Sequence, residues 1–188
     1  MKKFAFVSAM AAIMVVLGLS VSVTPAFAEE PVLVPIRDLA NGPSPGIAKL
    51  FYTRNGLRVQ VKTTGLPAFD VVTMWWQVFH PNPAGGFVYT CDVRADGAVL
   101  KPSGKNTYIS FLHAGRLDCV NGDNTQFFDP DVDSLVLVIR DHGPVIPGML
   151  YDMLSDPNGG CKLTTNTDEE NDRLNSCADM QIAVYIHP

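Results

Sequence analysis

The sequence predicts an all-β fold, an antiparallel β-sandwich of about seven strands with one short helix and two disulfides. Three observations carry this expectation. Apolar residues recur with a period of two from Lys49 onward, the runs are short and punctuated by Gly, Pro, Asn and Asp, and four cysteines follow an export-type leader.

Lys2 and Lys3 open the leader, Phe4 to Val23 is uncharged, Pro25 ends any helix, and Ala26-Phe27-Ala28 has the small-x-small pattern of a cleavage site. Residues 1–28 are therefore read as a signal peptide, and the mature protein is expected in the periplasm or outside the cell. Residue 29 is Glu rather than Cys, which argues against a lipid anchor, and no later apolar run is long enough to span a bilayer. Removing 28 of 188 residues leaves 160, the size of one domain with a real core.

Residues 29–48 are read as an arm, because Pro31 to Gly46 holds four prolines and two glycines. Residues 49–188 are read as the sandwich. Leu57, Val59 and Val61 alternate with Arg58, Gln60 and Lys62, so this strand should have one wet face, and Asn55-Gly56 just before it favours a tight hairpin turn. Val71 to Phe79 is apolar on both faces, as a central strand covered on its second side would be. Phe87 to Arg94 is the next strand, followed by an expected Asp96-Gly97 turn. Tyr108 to His113, Leu135 to Arg140 and Met180 to His187 complete the set. A short helix starting at Pro147 would align Met149, Leu150, Met153 and Leu154 on one face, and Asp156-Pro157-Asn158-Gly159-Gly160 would stop it. A long solvated loop containing Thr167 to Asp172 should follow.

All four cysteines, Cys91, Cys119, Cys161 and Cys177, lie beyond the leader. In an oxidising compartment an even number points to two bridges, and nearest-neighbour pairing gives Cys91–Cys119 and Cys161–Cys177. The absence of a CxxC argues against a redox-active dithiol.

The formal net charge is −5, and cleavage of the leader removes two lysines and no acid, taking it to −7. Such a balance repels phosphate backbones and anionic lipid, so no nucleic-acid partner is expected. The partner classes left open are a small molecule, a glycan or a protein.

Trp75-Trp76-x-x-Phe79, Arg140-Asp141-His142-Gly143-Pro144 with Pro147-Gly148, Gly159-Gly160-Cys161, and Cys177-Ala178-Asp179 followed by Gln181 and Val184 form an ordered set of local patterns. In these the chain resembles a group of exported bacterial β proteins of uncharacterised function, over roughly Gly56 to Pro188. The resemblance implies export and a sandwich-like fold, and it implies no activity.

Chemistry-bearing residues are few. His80, His113, His142 and His187 each fall at or just beyond a strand end, where imidazoles could converge on copper or zinc; His80, His142 and His187 are the candidate ligands. No H-x-H or HExxH spacing supports a pair. Asp129, Asp131 and Asp133 offer oxygen ligands for calcium, but Ser134 and Arg140 stand where an EF-hand needs Gly and Glu, so a polar loop entering a strand is the better reading. Gly42-Pro43-Ser44-Pro45-Gly46 matches the letters of a nucleophile elbow without its strand-turn-helix setting. Asp141-His142 suggests a hydrolase, although neighbours on an extended chain point to opposite faces.

Trp75 and Trp76 face opposite ways, so one fills the core and the other lies under a loop or lines a cleft. The leading expectation is a non-catalytic binding or structural module. Its surface would be a rim formed by Trp75, Phe79, His80, Asp141 and His142. A copper- or zinc-binding protein and a secreted hydrolase are the alternatives.

Overall fold

The structure is a computed structural model, and it describes residues 30–40, 42–53, 55–120, 126–162 and 174–187. Residues 1–28, read as a leader, and the segment Thr167 to Asp172 lie outside the described residues. In chain order the elements are β1 (Val32–Asp38), β2 (Gly42–Thr53), β3 (Gly56–Thr63), β4 (Asp70–Pro81), β5 (Phe87–Val99) and β6 (Asn106–His113). Then come β7 (Gly115–Arg116), β8 (Phe127–Phe128), β9 (Ser134–Pro144), α1 (Leu150–Ser155) and β10 (Ala178–Tyr185). The class is antiparallel β with one short helix and two disulfides, as the sequence predicts, but with more strands.

Eight strands form one antiparallel sheet in the order β5-β4-β9-β10-β1-β2-β3-β6, while β7 and β8 pair separately. The sheet rolls so that its two halves face each other across one core. Trp76 and Val78 of β4 and Leu135, Leu137 and Ile139 of β9 meet Leu50 of β2, Val59 and Val61 of β3, and Tyr108 of β6. The layers are thus continuous through the β10–β1 pairing. On the other side β5 and β6 are both sheet edges: they approach each other without a ladder, and Asp96 Oδ2 accepts the Ile109 N–H at 3.1 Å across the gap.

The arm read at residues 29–48 is a correction, because β1 and the first half of β2 lie inside the sheet. Val34 and Ile36 are buried at alternate positions, as are Ala48 and Leu50, so period two was present beneath the prolines. Pro35 is tolerated because β1 meets β10 only at Arg37 and Asp38, leaving most of β1 with a single partner, β2.

Asp96-Gly97 is likewise not a turn. β5 runs on to Val99, with an irregular step between Trp75 and Met74 on β4 opposite Arg94 and Asp96. Gly97 sits at a close approach: a Cβ there would stand 3.0 Å from Thr73 Cγ2 and 3.1 Å from Leu154 Cδ2, so those side chains would have to give by a few tenths of an ångström.

The helix is shorter than expected and begins at Leu150, with Met153 completely buried and no side-chain cap at Met149. It packs on the outer face of β4 and β5. Both disulfides pair as expected, Cys91 with Cys119 and Cys161 with Cys177. No helix among the described residues is long and apolar enough to cross a membrane.

Candidate functional site

The outer face of β4 and β9 carries a one-way chain of hydrogen bonds. Trp75 Nε1 donates to Thr73 Oγ1 at 2.6 Å, that oxygen lies 2.7 Å from His142 Nε2, and His142 Nδ1 lies 2.8 Å from the Gly159 carbonyl. An indole N–H only donates and a carbonyl only accepts, so Nδ1 carries the proton toward Gly159, and because burial disfavours the charged ring Nε2 is left to accept. The Thr73 hydroxyl donates to Nε2, and Nδ1–H donates to Gly159. His142 is therefore the neutral Nδ1–H tautomer. Burial pushes its pKa down; the Gly159 hydrogen bond opposes this, and the Arg140 charge reinforces it. Gly159 supplies its carbonyl from a position where a Cβ would collide with the Asp152 carbonyl at 2.0 Å.

Two expectations fail here. Trp75 is 2% exposed and His142 0%, so neither forms a binding rim, and His142 has both nitrogens engaged and no solvent path for general-base work. Trp76 is the core tryptophan, with Nε1 on Ser110 Oγ at 3.2 Å. Asp141 turns to the other side of its strand, where Oδ1 accepts the Gly143 N–H at 2.8 Å. Burial raises the Asp141 pKa and the nearby Asp70 carboxylate adds to this, against the Gly143 hydrogen bond.

His80 and His142 do not share a rim. Because β4 and β9 are antiparallel neighbours, Phe79 stands opposite Ser134 whereas Val72 stands opposite Asp141. The two imidazoles are thus separated by most of a strand, roughly 25 Å. His80 Nδ1 bonds the Asp133 carboxylate, whose side chain is fully buried and whose second oxygen accepts the Asp129 N–H at 2.7 Å. Asp129 Oδ1 accepts the Asp131 N–H at 3.0 Å, so the aspartate run folds as a self-bonded loop entering β9. His187 lies at the His80 end, its N–H on Ser134 Oγ at 3.1 Å, and His113 packs against Phe111. The candidate ligands His80, His142 and His187 therefore do not converge on one ion.

Among the described residues, one group brings three ligand-type side chains together: His142, Cys161 and Cys177, whose donor atoms lie within 4.8 Å of one another. With Cys161 and Cys177 bonded to each other, neither is the thiolate that metal coordination requires.

Two surface depressions stand out among the described residues. Phe79, edge-on to Tyr89, borders a groove of about 340 Å³ with Phe87, Val136, Val184 and Ile186 on the outer face. Phe79, a member of the expected binding set, thus reaches an open surface hollow. The larger depression, about 850 Å³, lies where the seam between β5 and β6 opens. Its apolar wall is Ile47, Ala98, Val99 and Leu100, and its charged lining residues are Lys62, Lys101 and Lys105, with no acid among them. Sequence reasoning missed this cleft. The available signal was that three of the five lysines after residue 28 fall at strand ends, which becomes a cluster only once the β5–β6 seam is known.

No protein-family model matches the chain, and no curated protein matches it. Among solved structures, a double mutant of a SOD-like protein from Bacillus subtilis aligns at 16% identity over 82% of this chain and 96% of that one, with a TM-score of 0.43. A single mutant of a SOD-like protein from the same organism aligns at 10% identity with a TM-score of 0.38, and a further SOD-like protein structure from it at 13% and 0.37; each covers 82% of this chain and 97% of the other.

Proposed function

We propose that the protein is an exported, non-catalytic binding module that takes an anionic ligand with an apolar body at the β5–β6 seam. One observation carries this reading: the rolled sheet stops one ladder short of closing, and the cleft left there is apolar-walled and lined by three lysines in a chain of net charge −5. Its volume, about 850 Å³, lies within the range of small-molecule sites. The three ammonium groups supply attraction and orientation for a carboxylate, sulfonate or phosphate. The two disulfides support residence in an oxidising compartment. The lack of any accessible, activated nucleophile–base pair at His142 supports a binding role over hydrolysis.

The test compares two fluorescent probes of similar shape: anilinonaphthalene sulfonate, which is anionic, and N-phenylnaphthylamine, which is uncharged. The sulfonate should bind more tightly and lose affinity as salt rises. The triple variant Lys62→Glu, Lys101→Glu, Lys105→Glu should weaken it by about tenfold or more with an unchanged melting temperature, since all three side chains are exposed. Equal binding of both probes, or no effect of the triple variant, would end this proposal.

A further inference from the structure

The helix packs on β4 and β5, and the outer face of the other half of the rolled sheet is sorted into rows by cross-strand register. Phe51, Arg58 and Phe111 stand side by side; Leu33, Lys49, Gln60 and Ile109 form the next row, and Ile47, Lys62 and Thr107 the third. Each row holds one cation and no row holds an acid, in a chain whose acids outnumber its bases by nineteen to fourteen. We propose that this face binds a linear acidic polysaccharide, one with a carboxylate on successive sugars. The proposal goes beyond the cleft ligand and does not depend on it, since the face borders the cleft only along the third row.

The alternation that builds these strands sends Ala48, Leu50, Val59, Val61 and Tyr108 into the core and the intervening residues outward. Arg58 and Lys62 are exposed, and Lys49, opposite Gln60, falls midway between them along the strands. The three positions follow a line with steps of roughly 7 Å, two residues of strand each. That line is longer than one carboxylate and lies on an open face rather than in a hollow, so it suits a chain laid along the strands better than a single small anion. The salt bridges among the described residues, His80 with Asp133 and Arg140 with Asp179, use none of the three. Asp96, the acid that reaches the β6 edge, accepts the Gly97 N–H at 2.8 Å on Oδ1 and the Ile109 N–H at 3.1 Å on Oδ2, which commits it to backbone.

Apolar shoulders flank the cationic line, with Leu33 of β1 and Ile109 of β6 both about half exposed. A sugar ring offers its C–H face to such side chains and its hydroxyls to the Gln60 amide and the Thr107 hydroxyl, which both donate and accept. Arg58 stands over the Phe51 ring at 5.8 Å and brings a planar fork suited to a carboxylate. A nucleic-acid strand fits less well, because the rings it would stack on are engaged: Phe51 by Arg58, and Phe111 edge-on by His113 at 4.5 Å between centroids. An anionic membrane plane meets the net negative charge of the whole molecule, whereas a single chain meets this face alone.

Calorimetric titration of the full chain tests this with oligomers of galacturonate and of mannuronate, each beside its methyl ester, in which the same sugars carry no charge. The acid form of at least one should bind, with affinity that falls as salt rises, and its ester should bind about tenfold more weakly or worse. Lys49→Glu with Arg58→Glu should weaken the acid form by about tenfold or more and leave the binding of anilinonaphthalene sulfonate unchanged, since neither residue lines the cleft. Absence of binding to both acids, equal binding of acid and ester, or full affinity in the folded double variant would each overturn the proposal. So would a larger loss from Lys101→Glu with Lys105→Glu than from the Lys49 and Arg58 pair, which would put the sugar chain in the cleft. Tighter binding, at equal salt, to a single-stranded oligodeoxynucleotide or to phosphatidylglycerol vesicles, lost in the same double variant, would overturn it in favour of that partner. If the double variant fails to fold, the comparison of acid with ester on the wild type decides, read by backbone amide shifts. These should concentrate at residues 49–51, 58–62 and 107–111, and shifts confined to other strands would overturn the proposal.

Discussion

His142 shows how a residue of reactive type becomes structural. Its two nitrogens link β4, β9 and the Gly159 turn, and replacing it by alanine leaves the Thr73 hydroxyl and the Gly159 carbonyl without their partner. The expected loss is about 3 kcal/mol from an emptied, partly unsatisfied site. The imidazole also sets a pH dependence. Burial holds its folded-state pKa below the ordinary 6.5, so an unfolded chain takes up a proton that the native protein refuses. Stability from this group is complete above about pH 6.5 and declines as pH falls below it. Melting temperatures measured between pH 7.5 and 5 should fall in the wild type and change less in His142→Gln; a steeper fall in the variant would contradict the assignment. Asp141 acts oppositely at lower pH: its raised carboxyl pKa lets the native state gain a proton before the unfolded chain does, so this term favours folding as pH drops toward 3.8. Sequence alone marked His142 as notable, but its role depends on Thr73, 69 residues away, and Gly159, 17 residues away.

At the scale of elements, the strands most legible in the sequence are those whose burial signal lies within one segment and meets no contrary local signal. The alternation in β3, the two-sided apolar run of β4 and the apolar core of β9 each report burial within a single segment, and the observed strands contain all three. The missed pieces are those in which a local signal was outweighed by distant packing. Prolines argued for an arm at β1, yet Val34 and Ile36 gain enough buried surface to hold that segment in the sheet. Gly97 argued for a turn, yet it serves as the flat spot on which Leu154 of α1 rests. Gly97→Val is therefore expected to lift the helix and cost about 1–3 kcal/mol by overpacking. Thermal melting should show the loss, and amide exchange across Leu150–Ser155 should accelerate relative to β9. A variant with the wild-type melting point and unchanged exchange would mean that α1 does not depend on this contact.

Considered as a whole molecule, the chain divides its chemistry by layer. The covered outer face around Trp75, His142 and Met153 is closed by α1 and the Cys161–Cys177 bridge, and the interior is filled by Trp76 and its neighbours. The larger open place described is the seam where β5 and β6 meet through Asp96 rather than through a ladder. Which strands become edges is a property of topology, and no window of sequence contains it; for that reason the antiparallel class was legible and the cleft was not. The direct test is to titrate isotopically labelled protein with anilinonaphthalene sulfonate and follow the backbone amides. The account predicts that shifts concentrate at Gly46–Ile47, Lys62–Thr64 and Ala98–Thr107. Shifts centred instead on Phe79, Tyr89 and Ile186, or on the residues around His80, would contradict it.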